Sequence, residues 1–158
     1  MKKIFALLAV FCLGVLAQCS RGEEKHAGAD NIGLYVINIL DKPFYQDAHI
    51  KGSIHVPFMD LSEYAGKLDR NAEIVVYCSN YACSASGAAA QQLLDMGFTK
   101  VWAYEGGIAE WYQLNFPVEG PAEKEYLKAE NEKLATETTV PEISSQDLKN
   151  KMEQYKLL

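Results

Sequence analysis

The chain predicts an α/β fold with a mostly parallel central sheet flanked by helices. Three observations carry that expectation. Short apolar, β-prone runs recur at residues 35–40, 74–77 and 101–104. Segments with helical spacing separate them. The run Ile74-Val75-Val76-Tyr77 ends directly in Cys78, with Cys83 five residues on and a helix-forming stretch behind it. Such alternation builds parallel sheets, whose ligands bind beyond the carboxyl ends of strands, where Cys78 falls. The strand–cysteine–loop–helix order also offers a thiol the unpaired N–H groups and positive dipole end of the helix. Both favour the thiolate, the reactive form of cysteine.

The chain opens with an address. Lys2 and Lys3 precede an apolar stretch over residues 4–17, which falls short of the ~20 residues that cross a bilayer as a helix. Residues 1–18 therefore read as a secretory signal peptide. The stretch ends in Leu16-Ala17-Gln18-Cys19, which resembles the lipobox of bacterial lipoproteins, whose cysteine is acylated and becomes the mature N-terminus. Gln18 departs from the small residue usual there. Two outcomes stay open. A lipid on Cys19 would hold the protein to the membrane on the periplasmic side of a bacterial envelope, or ordinary cleavage would release it. In both, Cys12 leaves with the signal and the compartment permits disulfides. Cys78 and Cys83 are then the only cysteine pair of the folded part.

Residues 19–31 are polar, charged and aperiodic, which reads as a flexible tether. The domain follows over residues 32–121. Its first strand, residues 35–40, is closed by a turn at Asp41-Lys42-Pro43. Phe44-Tyr45-Gln46-Asp47 gives a short helical turn, and Ile54-His55-Val56-Pro57 a second short strand. Residues 61–68 have helical spacing up to the break at Asp69-Arg70-Asn71. After the 74–77 strand and the cysteine loop, the Ala-rich stretch 84–96 predicts a helix with Gly97 as its C′ residue. Residues 101–104 form another strand, and Gly106-Gly107 turn the chain into a short helix carrying Trp111. Residues 122–158 form a charged helical C-terminal extension. Glu and Lys dominate 122–139, which reads as a solvated helix, and after Pro141 a last helix opens with Ser144 or Ser145 as N-cap.

At 158 residues there is room for one domain with a real core plus an appendage. A net charge of −6 without a basic stripe argues against a nucleic-acid partner. His26 and His55 show no metal-ligand spacing, and two thiols are too few for a zinc site, so no metal and no other cofactor is expected. Trp102 and Trp111 read as core residues.

Four patches carry a family likeness. They are Ala48-His49-Ile50-Lys51-Gly52-Ser53-Ile54, Val75-Val76-Tyr77-Cys78, Leu94-Asp95-Met96-Gly97-Phe98 and Tyr104-Glu105-Gly106-Gly107-Ile108-Ala109-Glu110-Trp111, closed by Pro117-Val118. In this order and spacing they make residues 35–121 resemble the rhodanese (sulfurtransferase) domain family. The resemblance implies that Cys78 takes a sulfane sulfur as a persulfide and passes it on. The implied partners are a small sulfur donor and a thiol or other nucleophilic acceptor. Backbone amides of Ser79, Asn80, Tyr81, Ala82 and Ser84 are the expected cradle of the terminal sulfur, like other anion-binding nests at helix N-termini. His49 is expected to be a structural residue on a turn, and Gly106-Gly107 to serve backbone geometry.

Three departures qualify the resemblance. Where the family's loop commonly carries a glycine and then an arginine before the serine, this chain has Tyr81 and Cys83 ahead of Ser84. No loop arginine is left to grip an anionic donor such as thiosulfate, or a phosphoryl group, which argues against the phosphatase branch of the fold. The family's Asp-x-Arg reads Asn38-Ile39-Leu40. Its opening Ile-Ser-x-x-x-Leu element is missing before Leu34, while Glu142-Ile143-Ser144-Ser145-Gln146-Asp147-Leu148-Lys149 looks like it. Either the tail folds back and sets Ile143 beside residues 101–104 as a permuted element, or it belongs to a truncated second domain and dangles or pairs in another chain.

Cys83 stays open among three roles: a redox partner that closes a disulfide with Cys78, a permanent structural clip, or an unpaired loop filler. The first requires an envelope thiol reductant to reopen the bond. The functional expectation is an envelope rhodanese-like sulfurtransferase with Cys78 and Cys83 as catalytic residues. The alternative is a non-catalytic rhodanese-fold binding or regulatory module, favoured by the missing arginine and disfavoured by the retained Cys78.

Overall fold

Buried β-branched residues set the centre of the sheet. In β1 (Leu34–Asn38) and β4 (Glu73–Tyr77) nearly every side chain is buried, as in strands covered on both faces. The structure is a computed structural model that describes residues 33–133 and 139–158. The signal stretch, Cys12, Cys19 and the tether expected over residues 1–31 lie outside the described residues.

β1 and β4 pair in parallel with Val36 opposite Val75. β3 (Ile54–His55) joins the free edge of β1, and β5 (Val101–Tyr104) the free edge of β4. The order β3-β1-β4-β5 is parallel throughout, so the connections must cross over. They contain α1 (Lys42–Asp47), α2 (Leu61–Tyr64) with a 3-10 turn at Ala65–Lys67, and α3 (Ala85–Asp95). Alternation along the strands divides the core in two. Ile37, Ile74, Val76 and Ala103 meet α3 through Ala89, Ala90 and Leu93. On the other face Val36, Val75 and Tyr77 meet Ile108 and Trp111 of α4 (Gly107–Gln113) and Leu148 and Met152 of α5 (Ser145–Gln154).

Gly97 ends α3 as the sequence predicts. Its φ is +90°, and Phe98 and Gly97 donate their N–H groups to the Leu93 and Leu94 carbonyls, closing a Schellman motif. A second, antiparallel pair joins β2 (His49–Ile50) to β6 (Val118–Glu119). Two-residue strands are too short to leave a periodic signal, so the sequence shows only a turn at His49.

The solvated helix expected over 122–139 is absent from its described part. Residues 122–133 hold only a 3-10 turn at Glu125–Leu127, while 134–138 lie outside the described residues. Contacts with α1 explain the difference. The Asp47 carboxylate accepts the N–H groups of Glu123 and Lys124 at 3.1 and 3.2 Å, and Leu127 is buried. These contacts hold residues 123–127 against α1 and the core instead of in a free, solvated helix.

Of the two readings of the tail, the fold-back is the one observed. Glu142 bridges Ala103 in parallel: Ala103 donates to the Pro141 carbonyl at 2.9 Å, and Ile143 donates to the Ala103 carbonyl at 3.1 Å. Ser144 is the N-cap of α5, its Oγ accepting the Asp147 N–H at 3.1 Å. The segment thereby extends the sheet past β5 and roofs the second half of the core.

Candidate active site

Two helices meet at the cysteine loop. Tyr77, the last residue of β4, is fixed by its hydroxyl, which accepts the Ile50 N–H at 3.0 Å and bonds the Ser53 hydroxyl at 2.8 Å. The start of α4 holds the loop from one side: Ile108 donates to the Cys78 carbonyl at 3.1 Å and Ala109 to the Ser79 carbonyl at 2.9 Å. Only glycine permits this approach. Gly107 has φ +60°, and a Cβ there would lie 2.6 Å from the Cys78 carbonyl oxygen.

The start of α3 holds the sulfurs. Ser84 is its N-cap but makes no side-chain capping bond. The sulfurs take that place, Cys83 facing the Ala85 amide and Cys78 the Ser86 amide. Both cysteines are free thiols; Cys78 is 0% exposed and Cys83 half-buried. Around the Cys78 thiol stand acceptors: the Cys83 carbonyl at 3.1 Å, the Ser86 hydroxyl at 3.5 Å and the Asn80 carbonyl at 3.8 Å.

The two thiols influence each other's ionisation, and the surroundings favour the charge on Cys83. The neighbouring Cys78 side chain, with the Ala85 and Ser79 amides and the Ser79 hydroxyl, lowers the Cys83 pKa, against partial burial. The Cys78 pKa moves up, first through the neighbouring Cys83 side chain and then because it is buried. The dipole of α3 favours a thiolate at this end. The sequence expects the thiolate at Cys78; the surroundings here lower the pKa of Cys83 and raise that of Cys78. Both cysteines lie at the helix start, so residue spacing could not separate them.

The expected cradle is rearranged in the same way. Ser79 turns its amide to Cys83, and Asn80 presents a carbonyl to Cys78 and accepts the Cys83 N–H at 3.0 Å. Tyr81 donates its N–H to Asn131 Oδ1 at 3.1 Å, while Ala82 and Ser84 are exposed at the rim.

Several neighbours were not legible beforehand. Asn131 also donates to the Gly106 carbonyl at 3.2 Å, clipping the loop to the Gly-Gly turn from within the segment read as a solvated helix. Glu110 accepts the Tyr81 hydroxyl at 2.9 Å and the Tyr104 hydroxyl at 2.8 Å. Glu105 packs at the start of α3, and burial raises its pKa. The histidines stand apart from this group. His49 stacks on Tyr45 at 3.9 Å and donates Nδ1–H to the Tyr45 carbonyl at 2.8 Å, and His55 Nε2 donates to the Leu40 carbonyl at 2.7 Å.

Comparison with known proteins bears on the family and the fold. The sequence profile of the Rhodanese-like domain matches residues 23–114. Thiosulfate sulfurtransferase GlpE of Pseudomonas fluorescens is 32% identical over 105 residues, which is 66% of this chain and 94% of that protein. The protein of the same name from Coxiella burnetii is 31% identical over 78 residues, 49% of this chain and 71% of the relative. Among solved structures, a Bacillus halodurans protein superposes with a TM-score of 0.53 at 30% identity, over 57% of this chain and 66% of that one. A Rhodanese_3-like domain from Anabaena superposes with a TM-score of 0.51 at 26% identity, over 56% of this chain and 93% of that domain.

Proposed function

Because the chain belongs to the rhodanese-like domain family, we propose that its Cys78–Cys83 pair is a two-thiol sulfane-sulfur carrier. The observation that carries this reading is the placing of both free cysteines at the start of α3, Cys78 buried at the strand end and Cys83 half-buried beside it. The reactive form is the one in which the proton of the pair sits on Cys83, and the Ser86 amide and hydroxyl beside Cys78 favour the Cys78 thiolate. The Cys78 thiolate then bonds to the donor's sulfane sulfur, the donor's bond to that sulfur breaks, and its remainder leaves with the electron pair. The Cys78 persulfide has two exits. A nucleophilic acceptor can take the outer sulfur, returning Cys78 to a thiol. Alternatively Cys83 attacks the inner sulfur, hydrosulfide leaves, and the resulting disulfide needs a thiol reductant to reopen.

This carrier works on the periplasmic side of a bacterial envelope, held there by a lipid on Cys19; a Cys19→Ser protein that still partitions with membranes would contradict that address. For the chemistry, mass spectrometry after exposure to a sulfane donor is the test. Cys83→Ser accumulates the extra sulfur, and Cys78→Ala takes up none. The full burial of Cys78 favours a second reading, a non-catalytic binding module. Failure of the unmodified protein to load from any donor would decide for it.

A further inference from the structure

The loop carries a sign. Glu110 reaches it through the Tyr81 hydroxyl, and Glu142 comes to it on the tail strand beside Ala103. Glu105 leaves the end of β5 and lies against the start of α3, its Oε1 3.3 Å from the place a Gly87 Cβ would take. That oxygen is buried and has no hydrogen-bond partner among the described residues. The charges of all three carboxylates reach Tyr81 on the loop, and Glu105 also interacts with Cys83.

One lysine offsets them in part: Lys133 is held by Glu142 at 2.5 Å, and its charge also reaches Glu105 and Glu110. The chain has two arginines, Arg21 outside the described residues and Arg70, whose Nη1 donates to the Met96 carbonyl at the other end of α3. Two loop amides that could bind an anion are already engaged, Tyr81 with Asn131 and Cys83 with Asn80. A dianion arriving here would meet a thiolate, carboxylates and carbonyl oxygens, with no bidentate cation to offset them.

We propose that this centre takes its sulfur from an uncharged or cationic organic hydropersulfide, R–S–SH, and that Glu105, Glu110 and Glu142 exclude thiosulfate. The inference rests on the sulfur-carrier reading and names the substrate class of the same site. The step balances: the Cys78 thiolate bonds to the outer sulfur, the S–S bond breaks, and R–S⁻ leaves with the electron pair. The protein then holds Cys78–S–SH.

Charge-matched thiol probes read the local potential directly. Cationic trimethylammonioethyl and anionic sulfonatoethyl methanethiosulfonates share one leaving group. Their rates at Cys83 of the full chain, followed by peptide mass spectrometry, are compared with their rates on mercaptoethanol. The cation-to-anion ratio at Cys83 should exceed the reference by on the order of tenfold at low salt and collapse at high salt. Glu105→Gln, close in shape, should lower it several-fold. A ratio equal to the reference, or one indifferent to both salt and Glu105→Gln, overturns the inference. So does sulfur loading from thiosulfate as fast as from a neutral hydropersulfide, an outcome that leaves the carrier itself standing. A high ratio with no loading from any donor would instead remove the carrier, and the substrate assignment with it.

Discussion

The surroundings of Cys83 lower its pKa, to about 5, and make it the more acidic thiol of the pair. Its alkylation by neutral iodoacetamide should rise with pH to a plateau, with a midpoint near 5. The Cys78 hydrogen bond is the first cause of the lowered value, so in Cys78→Ala the midpoint should climb toward the ordinary thiol value of about 8.5. The groups facing Cys83 set the sign: the Cys78 thiol, the Ala85 and Ser79 amides and the Ser79 hydroxyl lower its pKa. Glu105 is the anion that opposes them. Identical midpoints in the two proteins would mean that Cys78 does not hold the charge in place. That both cysteines stand between a strand end and a helix start was legible from the strand–loop–helix order. Which one is ionised was not, because that depends on which sulfur meets amides and which meets carbonyls.

At the scale of elements, the active loop is a joint between α3, α4 and Asn131. Gly107→Ala forces a Cβ into the Cys78 and Ser79 backbone at a left-handed φ. Strain of this kind costs on the order of 1–3 kcal/mol. Urea unfolding should register that loss, and sulfur loading should fall with it. Asn131→Ala acts in the other direction: it frees the Tyr81 amide and the Gly106 carbonyl without touching the core. Hydrogen exchange at residues 79–84 should quicken, and the buried Cys78 should become alkylatable a few-fold faster; unchanged rates would deny the clip. The Gly-Gly pair was readable as a geometric requirement, although its reason, the close approach to the loop backbone, appears only once α4 is packed. Helix α3 and its glycine stop were equally plain, since Ala-rich propensity and packing agree there. Residues 122–133 misled because Glu and Lys composition favours helix locally, whereas the Asp47 carboxylate and the burial of Leu127 decide the matter from a distance.

For the molecule as a whole, the tail is part of the domain. It covers the outer edge of β5 and supplies Leu148 and Met152 to the core. Met152→Ala should cost about 2–5 kcal/mol, the usual range for emptying a buried position of this size. A chain ending before residue 139 should aggregate through the bared strand edge; a soluble, fully stable truncation would show the tail to be dispensable. The sequence hinted at this fold-back because an opening-type element stood at the wrong end of the chain, but the bridge of Glu142 to Ala103 is a long-range contact that local pattern does not encode. Edge, core and loop converge on one pair of sulfurs, and one measurement bears on it most directly. The intact mass of the full-length protein is followed after incubation with a sulfane-sulfur donor, for the unmodified chain, Cys83→Ser and Cys78→Ala. The account predicts a stable added sulfur on Cys83→Ser and none on Cys78→Ala. Sulfur loading in Cys78→Ala equal to that of the unmodified chain would contradict it.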